Sequence, residues 1–287
     1  MPNICGGLAI LLWGLLATIS LLTLEIPPFL LLSMCFFISA MLMGAKQLYL
    51  DKHITMPSLT KIQWLIGIIG LFGFHLAYFS ALRFAPAIEV SLIVYLWPLF
   101  LAVLVADQKT RLKSLMGGTL GLIGITTLLA DKVQLNWTST ILTGYGLSIC
   151  AALIWAGYSW YFSTASNSIN DIGWLSVVVC LCSFVTHLAI EPQEYQFTYS
   201  QWLGILLLGL GPVGGAFYLW DIGLKQGNRT LLALGSFFTP VLSAMALASV
   251  GQNPWSISIL VALILIVVGA IISKIDLKLI NVKRKSL

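Results

Sequence analysis

Few residues of this 287-residue chain carry side chains that do chemistry, and most of those few are aromatic. His75 precedes Tyr78 by one helical turn, on the same face. Tyr95, Trp97 and Pro98 fall together in the run YLWP, and Trp155 and Tyr158 in IWAGY. Rings of this kind stack on flat molecules, and Tyr and Trp also carry a polar hydrogen that needs a partner. Of the ten carboxylates, Glu89 and Asp221 are the candidates, each inside an apolar run where an ionisable group is costly and usually has a partner or a task. Both also have a plainer reading. Glu89 follows Pro86 in a first helical turn, where a carboxylate suits the helix dipole. Asp221 stands four residues before Lys225, the spacing of an ion pair on one helix. His75 fits a cavity wall or a satisfied buried histidine, and each ring fits a cavity wall or a packed core.

Enzyme signatures are absent: the sequence has no HExxH, no GxSxG and no GxxxxGK[ST] phosphate loop. Cys5, Cys35, Cys150, Cys180 and Cys182 all lie in apolar segments, where free cysteine packs as a small hydrophobe. No disulfide, metal or cofactor is expected, and no enzymatic activity.

The elements that must position these side chains follow from composition. With 59% hydrophobic and only 9% charged residues, the chain cannot clothe a soluble surface, so its solvent is the lipid bilayer. A spanning helix needs roughly 20 mostly apolar residues. Ten stretches qualify: Cys5 to Thr23, Pro28 to Ala45, Ile62 to Leu82, Ala87 to Val105, Leu115 to Ala130, Leu142 to Ser163, Ile172 to Ile190, Trp202 to Leu224, Thr230 to Val250 and Trp255 to Ser273. The fifth is short and the ninth carries a central proline, so these two are the weakest as uninterrupted helices. Trp64, Trp137, Trp202 and Trp255 near segment ends suit the interfacial aromatic belt. The first stretch lacks a basic flank and a cleavage pattern and reads as a retained helix, not a signal peptide.

A formal charge of +5 is spread over short loops, which argues against nucleic acid as a partner and reports topology instead. With a cytoplasmic N-terminus, Lys46, Lys52, Lys61, Lys109, Arg111, Lys113, Lys225, Arg229, Lys274, Lys278, Lys283, Arg284 and Lys285 fall inside, and Arg83 and Lys132 outside. That distribution obeys the positive-inside rule and puts both termini in the cytoplasm.

A shift of 142 residues brings Trp13 onto Trp155, Leu82 onto Leu224, Arg83 onto Lys225, Tyr95 onto Phe237 and Pro98 onto Pro240. Two five-helix halves, 1–141 and 142–287, enter the membrane from opposite sides because five is odd. The expected fold is an all-α integral membrane protein of ten transmembrane helices arranged as two inverted repeats. Secondary transporters use that plan, with a site near the bilayer midplane; an economical bundle without transport is the alternative. Pro98 and Pro240 lie about mid-depth, where a missing donor leaves backbone groups to be met by neighbours, as a cavity wall or as a packing kink. Gly67, Gly70 and Gly73 in one helix, and Gly209, Gly211, Pro212, Gly214 and Gly215 in another, suit close helix packing or a hinge.

The runs AIEV at 87–90, YLWP at 95–98, QKT at 108–110, IWAGY at 154–158 and GSFFTPVLS at 235–243 resemble, in order, the drug/metabolite transporter superfamily. The chain looks like its EamA-type members, and within them the YddG-type exporters of aromatic amino acids. The resemblance implies export of an aromatic amino acid or related small metabolite from a bacterial cytoplasm, across the inner membrane. By motif match it implies a cavity set of Tyr95, Trp97, Pro98, Trp155, Tyr158, Ser236, Phe237 and Pro240; His75 and Tyr78 join from the helix-face argument, and Glu89 and Asp221 as polar or coupling groups. Val94 and Asp221 stand where such relatives can carry asparagine, which bears on substrate range. A broader drug/metabolite exporter and a non-transporting receptor or scaffold are the alternatives.

Overall fold

The computed structural model describes residues 1–130, 138–192, 194–252 and 254–274. Among the described residues all regular structure is helical, and nine helices are long and apolar enough to cross a membrane. They are α1 (Pro2–Thr23), α2 (Pro28–Asp51), α3 (Lys61–Phe84), α4 (Ala87–Val105), α5 (Arg111–Leu129), α6 (Ser139–Phe162), α7 (Asn170–Ile190), α8 (Tyr199–Gln226) and α9 (Arg229–Ser249). A shorter apolar helix, α10 (Ile257–Lys274), follows. Lys132, Trp137, Lys278, Lys283, Arg284 and Lys285 lie outside the described residues.

Helices begin where local chemistry supplies a start. Pro2 and Pro28 occupy first turns, where the missing N–H is not needed. Thr60 with Gln63, and Thr198 with Gln201, close reciprocal capping boxes ahead of α3 and α8. Thr138 and Asn228 cap α6 and α9 by accepting from the Ile141 and Leu231 amides.

Four helices are interrupted near mid-length. A π turn spans Ile69–Gly73 in α3, and α8 unwinds between Leu210 and Gly215. Helix α4 stops at Val94 and resumes at Trp97, while α9 stops at Gly235 and resumes at Phe238. The last two breaks follow from Pro98 and Pro240, which offer no N–H to the carbonyl one turn earlier. Tighter bonds take up the turn, from Leu96 N–H to Ile93 O and from Thr239 N–H to Ser236 O, both 3.0 Å. The fifth stretch, short by sequence, is an unbroken 19-residue helix.

Packing pairs α1 with α8 and α9, α6 with α3 and α4, α2 with α7, and α5 with α10. Small residues decide how near the backbones come. A Cβ at Gly117 would lie 2.4 Å from the Gly269 carbonyl oxygen, so α5 and α10 touch through backbone alone. At Gly70 it would strike the Tyr158 ring at 2.2 Å, so the bare backbone of α3 receives a ring from α6. Leu11, Phe37, Leu181 and Leu206 are exposed on the outside, as an apolar solvent requires. Polar contacts gather at the helix ends. Glu191 accepts from the Phe29 and Leu30 amides at 2.9 and 3.1 Å, while Lys46 reaches Asp51 at 2.6 Å and Asn170 at 3.0 Å. Both ends of α2 are thus fastened to α7.

Candidate functional site: a central aromatic cavity

Helix α1 begins beside the α8–α9 loop, where Asn228 N–H donates to Asn3 Oδ1 at 2.6 Å. It ends beside the start of α8, where Thr23 faces Gly204. Consecutive spans therefore alternate between two faces: an upper one with the α1–α2 and α3–α4 loops, and a lower one with the α2–α3 and α6–α7 loops.

A cavity of about 510 Å³ occupies the upper half of the bundle. Trp13, Trp97 and Trp155 form its floor at mid-length, with ring centroids 5.8 to 6.2 Å apart and near-perpendicular planes. Its walls rise through Tyr78, Tyr95 and Phe217 to Ser20, Pro28 and Phe79 near the upper loops. The helix breaks explain the shape. The unwound turn of α8 frees the Pro212 carbonyl to accept from Trp13 Nε1 at 3.0 Å, which fixes one floor tryptophan. The YLWP break lets Tyr95 and Trp97, two residues apart, both reach the cavity.

Polar atoms are few. His75 Nδ1 lies 2.6 Å from the Leu71 carbonyl oxygen, so that nitrogen carries a proton and donates to it. Tyr78 OH meets Ser91 Oγ at 3.4 Å. Thr239 and Ser243 are the contribution of α9. Among the described residues, no Asp, Glu, Lys or Arg lines this cavity. Among the described residues, no group of three His, Cys, Asp or Glu is placed to hold a metal ion.

Beneath the floor the bundle is tight. Tyr158 stacks on Trp155 with centroids 5.3 Å apart, and Trp220 Nε1 donates to Ser159 Oγ at 3.1 Å. A void of about 10 Å³ is all that remains among Tyr158, Phe162, Phe217, Trp220, Asp221 and Leu224.

Of the sequence-predicted residues, His75, Tyr78, Tyr95, Trp97 and Trp155 come together on the cavity wall. Pro98 and Pro240 are buried behind it, each presenting its preceding neighbour, Trp97 or Thr239. Tyr158 lies below the floor. Ser236 is buried and donates to Leu232 O at 2.9 Å, and Phe237 is buried against Gly121. Glu89 is buried and accepts from Tyr145 OH, and Asp221 is paired with Lys225 at 2.8 Å. Sequence reasoning missed Phe74, Phe79, Ser91, Phe217, Thr239 and Ser243. Ser91 stands one turn before Tyr95, and Thr239 falls on Trp97 under the 142-residue shift, so those two were within reach. Phe217 required knowing that α8 unwinds.

A multi-pass helical bundle around a pocket of this size, with a stacking floor and uncharged polar walls, defines a membrane transporter of small molecules. The EamA-like transporter family matches residues 2–130 and again 142–274, and the chain belongs to that family. It is 35% identical over 281 residues to an aromatic amino acid exporter, YddG, of Ancylobacter novellus, covering 94% of this chain and 96% of that one. The Escherichia coli protein of the same name is 31% identical over 182 residues, 60% of this chain and 61% of that one. A solved crystal structure superimposes with a TM-score of 0.88 at 34% identity, covering 95% of this chain and 96% of the other. The protein is thus a multi-pass transporter of the bacterial inner membrane, akin to the YddG exporters.

Proposed function

We propose that this protein exports aromatic amino acids, or closely related flat metabolites, by alternating access between two inverted five-helix repeats, 1–141 and 142–287. The observation that carries the substrate class is the cavity itself, about 510 Å³ above a floor of three tryptophans and without a charged wall. An aromatic ring stacks on that floor, and the ammonium and carboxylate of the amino acid, each costly to bury unpaired, take hydrogen bonds from the polar wall residues His75, Tyr78, Ser91 and Ser243 and from water at the open mouth. His75, Tyr78, Tyr95, Trp97 and Trp155 touch the substrate; Pro98 and Pro240 set the breaks that present Trp97 and Thr239. Tyr158, Ser236 and Phe237 support the floor from below, and Asp221 with Lys225 holds the lower closure.

Several features support the inverted repeat. The packing pattern maps onto itself when each helix is exchanged for the one five places away: α1 on α8 and α9 becomes α6 on α3 and α4. The shift of 142 residues carries the π turn at 69–73 onto 211–215, the unwound 211–214 and the residue where the helix resumes, and the family model matches each half separately. Under the positive-inside count the upper face is external, both termini are cytoplasmic, and the conformation described is open to the outside.

Proteoliposomes loaded with labelled tryptophan, phenylalanine or tyrosine test this reading. Release that unlabelled aromatic amino acids outside accelerate by exchange is the expected result. No release of any of them, with release of chemically unrelated metabolites, would replace it with a broader drug/metabolite exporter.

A further inference from the structure

The lower face is held by a latch. Lys225, at the end of α8, donates from Nζ to the Asn167 carbonyl oxygen at 3.1 Å, to Asn167 Oδ1 at 2.9 Å and to Asp221 Oδ2 at 2.8 Å. Asn167 belongs to the α6–α7 loop, so the contact ties that loop to α8 across the closed half. The Lys225 and Asp221 side chains are only 14% and 5% exposed, so the tie is well shielded from water.

The shift of 142 residues carries Lys225 onto Arg83, Asn167 onto Glu25, and Asp221 onto Phe79. It holds through the loops, because Pro28 at the start of α2 falls on Asn170 at the start of α7. Arg83 therefore ends α3 as Lys225 ends α8, and Glu25 sits in the α1–α2 loop as Asn167 sits in the α6–α7 loop. Here Glu25 and Arg83 are both exposed, and neither joins an ion pair among the described residues. They flank the mouth: Ser20 and Pro28, on either side of Glu25 in sequence, line the cavity, and so does Phe79, one turn before Arg83. Phe79 occupies the place equivalent to Asp221, so Arg83 has no carboxylate one turn back to hold it.

We propose that Glu25 and Arg83 are the closing pair of the upper face, meeting when the upper half packs as the lower half does here and the Lys225–Asn167 latch parts. This rests on the inverted-repeat, alternating-access reading above. Opposite charges attract once the mouth narrows to within the screening length, yet a water-exposed pair is weak enough to reopen in every cycle. The two latches also differ in kind. The upper one joins two full charges at the water interface and is screened by salt, whereas the lower one is sheltered.

Charge exchange in proteoliposomes tests the pairing. Glu25→Arg and Arg83→Glu each set like charges across the mouth, and each should slow phenylalanine export about fivefold. The double exchange remakes the pair with its ends swapped and should return export to within about twofold of wild type. In about 1 M salt the deficit of each single variant should shrink, because the screening length falls to about 3 Å. Both positions are exposed, so equal yields of monodisperse protein are expected. Single variants that export like wild type, or a double exchange no faster than the singles, overturn the pairing while leaving the transport reading intact. Wild-type vesicles that release no aromatic amino acid overturn that reading and the pair together.

Discussion

Above Trp13, Trp97 and Trp155 the helices stand apart around about 510 Å³, and below them Tyr158, Phe162, Trp220 and Leu224 leave about 10 Å³. Both halves are cut from the same kinds of helix. What separates them is where the helices bend: the breaks at 69–73, 95–96, 211–214 and 236–237 all fall near mid-length. A break there would let one half splay while the other stays packed, so on the proposed alternating-access reading the contrast is one conformation of a hinged bundle. It does not require two differently built halves. The lower seal is then a set of contacts that must come apart, and substitutions within it should act differently from substitutions around the cavity.

The largest effect is expected at Gly223, where a Cβ would lie 2.7 Å from Gly6 Cα and 2.8 Å from Gly6 N. Backbone cannot yield as a flexible side chain can, so Gly223→Val should force α1 and α8 apart in the lower half at a cost of about 3 kcal/mol or more. Loss of monodisperse protein on size exclusion is the check. Gly157→Ala, where nothing lies within 4 Å, is the control and should behave as wild type. A stable Gly223→Val protein with normal export would mean the seal tolerates a gap, and the comparison of halves would lose its basis.

Lys225→Gln comes next. It removes the cation from a carboxylate that is 5% exposed, and breaking one side of a buried pair costs about 3 kcal/mol. The melting temperature in detergent should fall, and adding Asp221→Asn should recover most of the loss, because the stranded charge goes with it. A double variant as unstable as the single would assign the contribution of Lys225 to its contacts with Asn167.

Trp97→Ala and Trp155→Ala strike the boundary itself. Each should lower export about tenfold, equivalent to about 1.4 kcal/mol, with membrane insertion unchanged. Normal export from both would move these rings from the floor of a binding site to ordinary packing.

How far the sequence foretold this contrast differs from element to element. The apolar stretches locate the spans to within a few residues, because lipid demands length and hydrophobicity that loops cannot imitate. Pro98 and Pro240 announce their own breaks, since a missing N–H acts locally. The unwinding of α8 is not written so plainly: Gly209, Gly211, Gly214 and Gly215 allow close packing as readily as a break, and Phe217 reaches the cavity only because the turn there opens. Ser236 is the residue expected on the cavity wall, and Thr239, three residues on and not foreseen, stands there instead. Ser236 spends its hydroxyl on the carbonyl of Leu232, one turn back, while Thr239, just past the break, lines the cavity. Which half is open could not be read at all, because on the proposed inverted-repeat reading the two copies favour either arrangement equally and the choice belongs to a state of the protein.

The smallest effect is expected at Thr239, and its sign is informative. Its Oγ1 is buried and has no hydrogen-bond partner among the described residues, unlike Thr119, Thr126 and Thr143, whose hydroxyls all donate to carbonyls on their own helices. A buried hydroxyl without a partner costs about 1 kcal/mol or more, and valine has the same shape without that demand. Thr239→Val should therefore leave the melting temperature unchanged or raise it slightly, where most buried substitutions lower it. If export falls while stability rises, the hydroxyl is kept for whatever enters the cavity. A clear loss of stability would instead mean that Thr239 is bonded within the wall, and the upper half would be less open than its volume implies.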